Sequence, residues 1–295
     1  MKKTIFKGCA TAVITPMLPD GQIDFEEFGH ILENQISQGV DALVVCGTTG
    51  EASTMQDGEH LAVIEYAVKA VAGRVPVIAG TGSNDTAHAV WMSKEAAKCG
   101  ADALLLVTPY YNKTSQAGLI RHFNTIVDAA GLPAILYCVP SRTGVNITPA
   151  TAKELARNPL ICGLKEASGN ISQVAQIAAL CGDEIDLYSG NDDQIVPVLS
   201  LGGKGVISVL GNVAPRQTHD ICQMWFDGNV TGSAALQLRM LGLCQALFCD
   251  VNPIPVKAAM NLTGWRAGAC RLPLVDLSEE HLALLKAELS KLDLL

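Results

Sequence analysis

The sequence predicts an α/β protein, a (β/α)8 TIM barrel with a C-terminal helical appendage. Three observations lead there. Eight short apolar runs recur along the chain at spacings of roughly 20 to 33 residues, the size of a βα unit. Each run is followed by a longer segment of helical periodicity. The runs are continuously apolar instead of alternating, which marks strands buried on both faces and hence a parallel sheet. An open doubly wound sheet is the competing architecture, but no Gly-x-Gly-x-x-Gly fingerprint follows the first run.

Taken in order, the strand candidates are Ala10–Ile14, Ala42–Cys46, Val75–Ala79, Ala103–Thr108, Ala134–Val139, Leu160–Leu164, Ile185–Ser189 and Gly205–Val209. Between them lie amphipathic patterns. Leu119, Ile120, Phe123, Ile126 and Val127, for example, share one helical face. Asp24, Ser115 and Thr148-Pro149 are N-cap or first-turn residues, and Gly39, Gly73, Gly100 and Gly131 stand where helices end. After the eighth run the pattern becomes helical only, over roughly 213–228, 232–249 and 278–292, with Asn252-Pro253-Ile254-Pro255 as a joint. Residues 1–212 are therefore expected to form the catalytic barrel, and 213–295 its last helix and the appendage.

The bulk properties fit one such domain. The 295 residues are 49% hydrophobic, 17% charged and 5% aromatic, a globular composition. A formal charge of -8 argues against general affinity for nucleic acid or anionic membrane, so any anionic substrate needs a local binding device. The ten cysteines form no Cys-x-x-Cys pair and no zinc spacing with histidine. They read as buried thiols in a reducing compartment. Lys7 and Gly8 interrupt the N-terminal apolar stretch, and no run reaches the ~18 residues of a membrane span, so a soluble, cytoplasmic protein is expected.

Barrel enzymes carry their chemistry at the C-terminal ends of the strands. Lys165 falls there, directly after Leu160–Leu164. Apolar walls disfavour its ammonium form and so free a nucleophile. A structural lysine paired with Glu166 is the other reading. After the second run, Gly47-Thr48-Thr49-Gly50-Glu51 offers backbone and hydroxyl donors suited to a carboxylate, or is an ordinary turn. After the fifth, Tyr137 can relay protons and Arg142 can clamp a carboxylate. A core tyrosine and a surface arginine are the alternatives. Tyr110 and Tyr111, after the fourth run, can fill an interface or close a site, with structural use the favoured reading of the two residues by themselves. Gly202–Gly205 precedes a strand and reads as a turn. Lys113 and Lys257 lack a strand-end setting, and the six histidines form no metal constellation.

Together these pieces resemble the dihydrodipicolinate synthase family of pyruvate-dependent class I aldolases. The resemblance rests on Gly47–Glu51, Tyr110-Tyr111-Asn112, Tyr137 to Gly144, Gly163–Ala167, Ser189–Asp192 and Asn252–Lys257. It implies condensation of pyruvate with L-aspartate 4-semialdehyde to 4-hydroxy-tetrahydrodipicolinate, the first committed step of diaminopimelate and lysine biosynthesis. It implies Lys165 as imine former and a proton relay of Tyr137, Thr48 and Tyr111, the last from a neighbouring subunit. Thr49 is implied to bind the pyruvate carboxylate, Arg142 the aldehyde's carboxylate, and Gly190 and Ile207 to line the site through their backbones. It implies no metal or organic cofactor, and a homotetramer built as a dimer of dimers.

The resemblance also implies an inhibitory lysine site, which Asn84 and Tyr110 match, but His88 stands there in place of a glutamate and Asp57 in place of a histidine, so weak or absent lysine inhibition is expected. Cys138 stands where asparagine is common in the Tyr137 motif, with no catalytic effect expected. A sister activity, N-acetylneuraminate lyase or a 2-keto-3-deoxy sugar-acid aldolase, is the alternative. Arg142 favours the synthase because a sugar polyol needs no cation there.

Overall fold

The computed structural model describes residues 2–295. Eight strands, β1 (Gly8–Ala12), β2 (Ala42–Val45), β3 (Val77–Gly80), β4 (Ala103–Val107), β5 (Ala134–Cys138), β6 (Ile161–Glu166), β7 (Asp186–Ser189) and β8 (Gly205–Ser208), form a closed parallel barrel in chain order. The ring closes where β1 pairs with both β2 and β8. Each predicted run coincides with a strand. The main difference is in β6, which continues through Lys165 and Glu166. These residues stay in the ladder opposite Tyr137 and Cys138 of β5, whereas an apolar run ends at its first charged residue.

Strand alternation sorts the barrel into two cores. Ala10, Ala12, Val44, Ile78, Leu105, Ile135, Tyr137 and Ile207 fill the interior. Cys9, Leu43, Val45, Leu104, Leu136, Leu164 and Val206 face the helical shell. Phe6 and Tyr188 stack at 4.3 Å between ring centroids, and the Tyr188 hydroxyl donates to the Phe6 carbonyl at 2.7 Å. At the seam, Gly205 adopts φ +151, and a Cβ there would lie 1.8 Å from the Gly8 carbonyl oxygen. No side chain fits between β1 and β8 at that point.

The sequence cues for helix ends act as read. Asp24 accepts from the Glu27 amide at 3.0 Å, Ser115 from Gly118 at 3.2 Å and Thr148 from Thr151 at 3.3 Å, each at a helix start. Gly100 and Gly131 close their helices in the left-handed region. In the C-terminal part, helices occupy Pro215–Phe226, Val230–Ala246 and Glu279–Lys291. A fourth, Ile254–Leu262, replaces the expected joint. Pro255 sits in its first turn, where the missing amide costs nothing, and Ile254 to Lys257 are all buried, so no polar face announces a helix.

The tail is fastened to the barrel mouth. Lys257 donates to Glu51 at 2.8 Å and to the Ala269 carbonyl at 2.7 Å. The Arg271 amide donates to the other Glu51 oxygen at 2.9 Å, and its guanidinium pairs with Glu59. All ten cysteines are free thiols, seven of them buried. Burial raises the pKa of every one, Cys138 to about 12 and Cys270 to about 11. Among the described residues, no helix is long and apolar enough to cross a membrane.

Candidate active site

Because side chains alternate along a strand, Lys165 and Glu166 point to opposite faces of β6. Lys165 enters the barrel interior, is 5% exposed, and places Nζ 4.2 Å from the centroid of the Tyr137 ring. Glu166 points into the helical shell, where it accepts from the Ser168 hydroxyl at 2.8 Å and from Gln173 at 2.8 Å. The Lys165–Glu166 pairing therefore does not occur, and among the described residues no carboxylate forms a salt bridge with Lys165. Burial lowers the Lys165 pKa to about 8. The Asp192 carboxylate opposes this and the Arg142 guanidinium adds to it.

Asp192 follows β7. It accepts from the Ser208 hydroxyl at 2.5 Å and from the Val209 and Leu210 amides at 3.0 and 2.8 Å. Burial pushes its carboxyl up while these donors hold it down. One buried anion thus organises the turn after β8 and sets part of the field at Lys165.

Lys165 opens into a cavity of about 420 Å³ whose walls include Thr48, Thr49, Tyr137, Arg142, Gly190 and Asn252. Six of the sequence-predicted residues are thereby brought together. The buried Tyr137 phenol is shifted up by desolvation, while the Arg142 charge and the Thr48 hydroxyl pull it down. Thr49 is 3% exposed and accepts from Asn252 Nδ2 at 3.0 Å. Arg142 lies at the exposed rim and donates to the Asn252 backbone carbonyl at 3.2 Å. At Gly190 a Cβ would come within 2.5 Å of the Ala167 Cβ, so only glycine lets this strand end pass.

Two expected residues do not reach the cavity. Ile207 is fully buried in the inner core and lies outside the cavity wall. Tyr111 is 92% exposed and takes φ +66, an unusual conformation for an aromatic residue. Nothing within one chain explains that placement.

A second cavity of about 430 Å³ shares Gly47, Thr48, Tyr137 and Arg142 with the first. It contains His60, His88 and Tyr110, with His88 Nε2 bonded to Asp57 Oδ1 at 2.9 Å. Asn84 is not in its wall; its carbonyl accepts from the Asn112 amide at 2.9 Å. Cys138 faces the outer layer, where its thiol donates to Asn146 at 3.2 Å.

The sequence places Asn252 in a joint and Lys257 away from any strand end, so neither is assigned a place at the site by its local pattern. Lys257 and Glu51 form an almost fully buried ion pair beneath the Thr48-Thr49 turn. Among the described residues no three His, Cys, Asp or Glu side chains group as a metal site.

Residues 5–292 match the family described as the dihydrodipicolinate synthetase family. The chain belongs to the dihydrodipicolinate synthetase family. A 4-hydroxy-tetrahydrodipicolinate synthase of Caldicellulosiruptor saccharolyticus is 57% identical, covering 97% of this chain and 96% of its own. That of Acetivibrio thermocellus is 53% identical over 98% of both chains. The crystal structure of dihydrodipicolinate synthase from Thermotoga maritima superposes with a TM-score of 0.97 at 40% identity, covering 99% of this chain and all of that one. The matched region extends through Asn252 and the C-terminal tail as far as residue 292, so the contacts between tail and barrel lie inside it.

Proposed function

We propose that this chain condenses pyruvate with L-aspartate 4-semialdehyde to form 4-hydroxy-tetrahydrodipicolinate, as an aldolase-type lyase working through an imine on Lys165. The observation that carries the reading is a lysine enclosed at the barrel mouth, with a pKa of about 8, against a tyrosine and beside threonine hydroxyls. The synthase name borne by relatives at more than half identity favours this over the sister sugar-acid aldolases.

The neutral amine attacks the keto carbon, and loss of water gives the imine. The protonated imine draws electrons from the methyl carbon, which loses a proton to become an enamine. The enamine attacks the aldehyde carbon, and water or an internal amine then releases Lys165. Every electron pair is handled by Lys165 and the two substrates, so the reading calls for no external cofactor. Tyr137 and Thr48 carry protons, with Tyr111 of a second copy completing the relay. Thr49 donates to the pyruvate carboxylate, Arg142 binds the aldehyde's carboxylate, and Gly190 contributes backbone groups.

The exposed, conformationally unusual Tyr111 supports an assembly of dimers, read here as a homotetramer in the cytoplasm. The division into a barrel of 1–212 and a tail of 213–295 is a division of chain order, because Asn252 of the tail lines the cavity. Lysine inhibition is expected to be weak, since His88 and Asp57 already bond to each other. Half-maximal inhibition at micromolar lysine would contradict that.

Borohydride reduction in the presence of pyruvate tests the central claim. Mass is expected on Lys165, and a folded Lys165→Ala variant should take up none. Adduct on another lysine, or none at all in the unaltered chain, sinks the proposal.

A further inference from the structure

Behind the two reactive strand ends, on the outer face of the barrel, polar side chains form a connected set. Lys165 and Tyr137 are register partners that point inward, so their neighbours Glu166 and Cys138, also register partners, point outward. Gln173 stands in the first turn of the helix Ile171–Cys181. Its Nε2 donates to Glu166 Oε1 at 2.8 Å and to Asn146 Oδ1 at 3.0 Å, and its Oε1 accepts from Asn146 Nδ2 at 2.7 Å. Asn146 Oδ1 also accepts from the Cys138 thiol at 3.2 Å. Ser168 serves the other Glu166 oxygen, through its amide at 3.0 Å and its hydroxyl at 2.8 Å.

Glu166, Cys138 and Gln173 are buried. Apolar side chains would fill the same space, whereas a satisfied polar cluster fixes one arrangement. The ladder beside it needs such a fix. The β5–β6 register shifts between Ala134 and Ile135, and Cys162 is left opposite no residue. A strand pair with an extra residue at one end is not pinned by its ladder alone, and the outward side chains lock the other end.

We infer that Gln173 is a positioning residue: through Glu166 on one side and through Asn146 and Cys138 on the other, it holds the ends of β6 and β5 so that Lys165 Nζ stays 4.2 Å from the centroid of the Tyr137 ring. This rests on the function proposed above and deepens it. Gln173 lies outside the cavity wall and acts only through the two strand ends. A misplacement of about 1 Å between reacting groups can cost about 100-fold in rate, so a slight relaxation of either end is enough to be read.

The test compares two variants of nearly equal size. Gln173→Met keeps the volume and removes every side-chain hydrogen bond. Gln173→Glu keeps an acceptor for Asn146 and, by sharing one proton with Glu166, a bond to that carboxyl. In Gln173→Met, kcat is expected to fall roughly tenfold while KM for pyruvate moves less than about threefold. Exchange of the pyruvate methyl protons with D2O, which needs Lys165 and Tyr137 but no aldehyde, should slow by the same factor. In Gln173→Glu, kcat should stay within about threefold of the unaltered enzyme, although this variant is the less stable of the two in denaturant because it buries a second carboxyl. Activity and stability then run in opposite orders, which a space-filling role does not produce. Asn146→Ala, at a half-buried position, serves if neither variant folds, and loss of the Cys138 arm should lower its kcat about threefold.

An unchanged kcat in Gln173→Met, a loss confined to KM, methyl exchange at the unaltered rate, or activities that follow stability overturns the inference. For Asn146→Ala an unchanged kcat does so. Borohydride trapping of pyruvate on each variant keeps the two claims apart. A missing adduct in the unaltered enzyme refutes the proposed function, whereas an intact adduct with unaltered methyl exchange in Gln173→Met refutes only the role of Gln173.

Discussion

At Lys165 two requirements point the same way: the apolar barrel disfavours a charge, and the chemistry needs a free electron pair. With a pKa of about 8, roughly a tenth of the amine is neutral at pH 7, against roughly one part in 2,500 for an ordinary lysine. The rate of imine formation at subsaturating pyruvate should therefore climb about tenfold per pH unit below neutrality and level off above about pH 8. Asp192 favours the ammonium, so Asp192→Asn should move the inflection to lower pH. Stopped-flow or quench trapping across pH 5 to 10 reads both curves, and an inflection near the ordinary lysine value would contradict the first. Lys165 was legible in the sequence because it ends a continuous apolar run. The absence of a pairing with Glu166 also followed from strand alternation, once β6 was known to extend through both residues.

Among the elements, the turn after β2 depends on a pair its own sequence does not reveal. Glu51 takes φ +57 and is joined to Lys257, 206 residues away. Removing one member leaves the other as an uncompensated buried charge, so Lys257→Met should cost about 3–5 kcal/mol in denaturant unfolding. Pairing it with Glu51→Gln should recover part of that loss. A Lys257→Met enzyme of unchanged stability would show that the contact does not hold the tail to the barrel. The same distance explains why Lys257, Asn252 and the helix Ile254–Leu262 escaped sequence reading. Strands, caps and turns are written in neighbouring residues, and they were found nearly in place. A buried polar residue whose partner lies at the other end of the chain leaves no local periodicity, and a helix buried on most sides shows no amphipathic stripe.

For the whole molecule, the exposed Tyr111 makes a single chain an incomplete catalyst under the proposed relay. Mixing two weakly active variants, Lys165→Ala and Tyr111→Phe, should restore activity after subunit exchange. A mixed dimer has one doubly defective site and one intact site, so an equal mixture should approach about a quarter of full activity. No recovery on mixing would place Tyr111 outside any shared site. The ten thiols have a consequence of a different kind. The seven buried ones are shielded and held in their unreactive protonated form while the barrel is closed, and each becomes an ordinary nucleophile once its surroundings part, whereas Cys99, Cys249 and Cys270 are partly exposed from the start. The protein thus carries a built-in clock: the order in which cysteines take up an alkylating label, read by mass, would chart which parts of the barrel breathe first, with no dye or tag added.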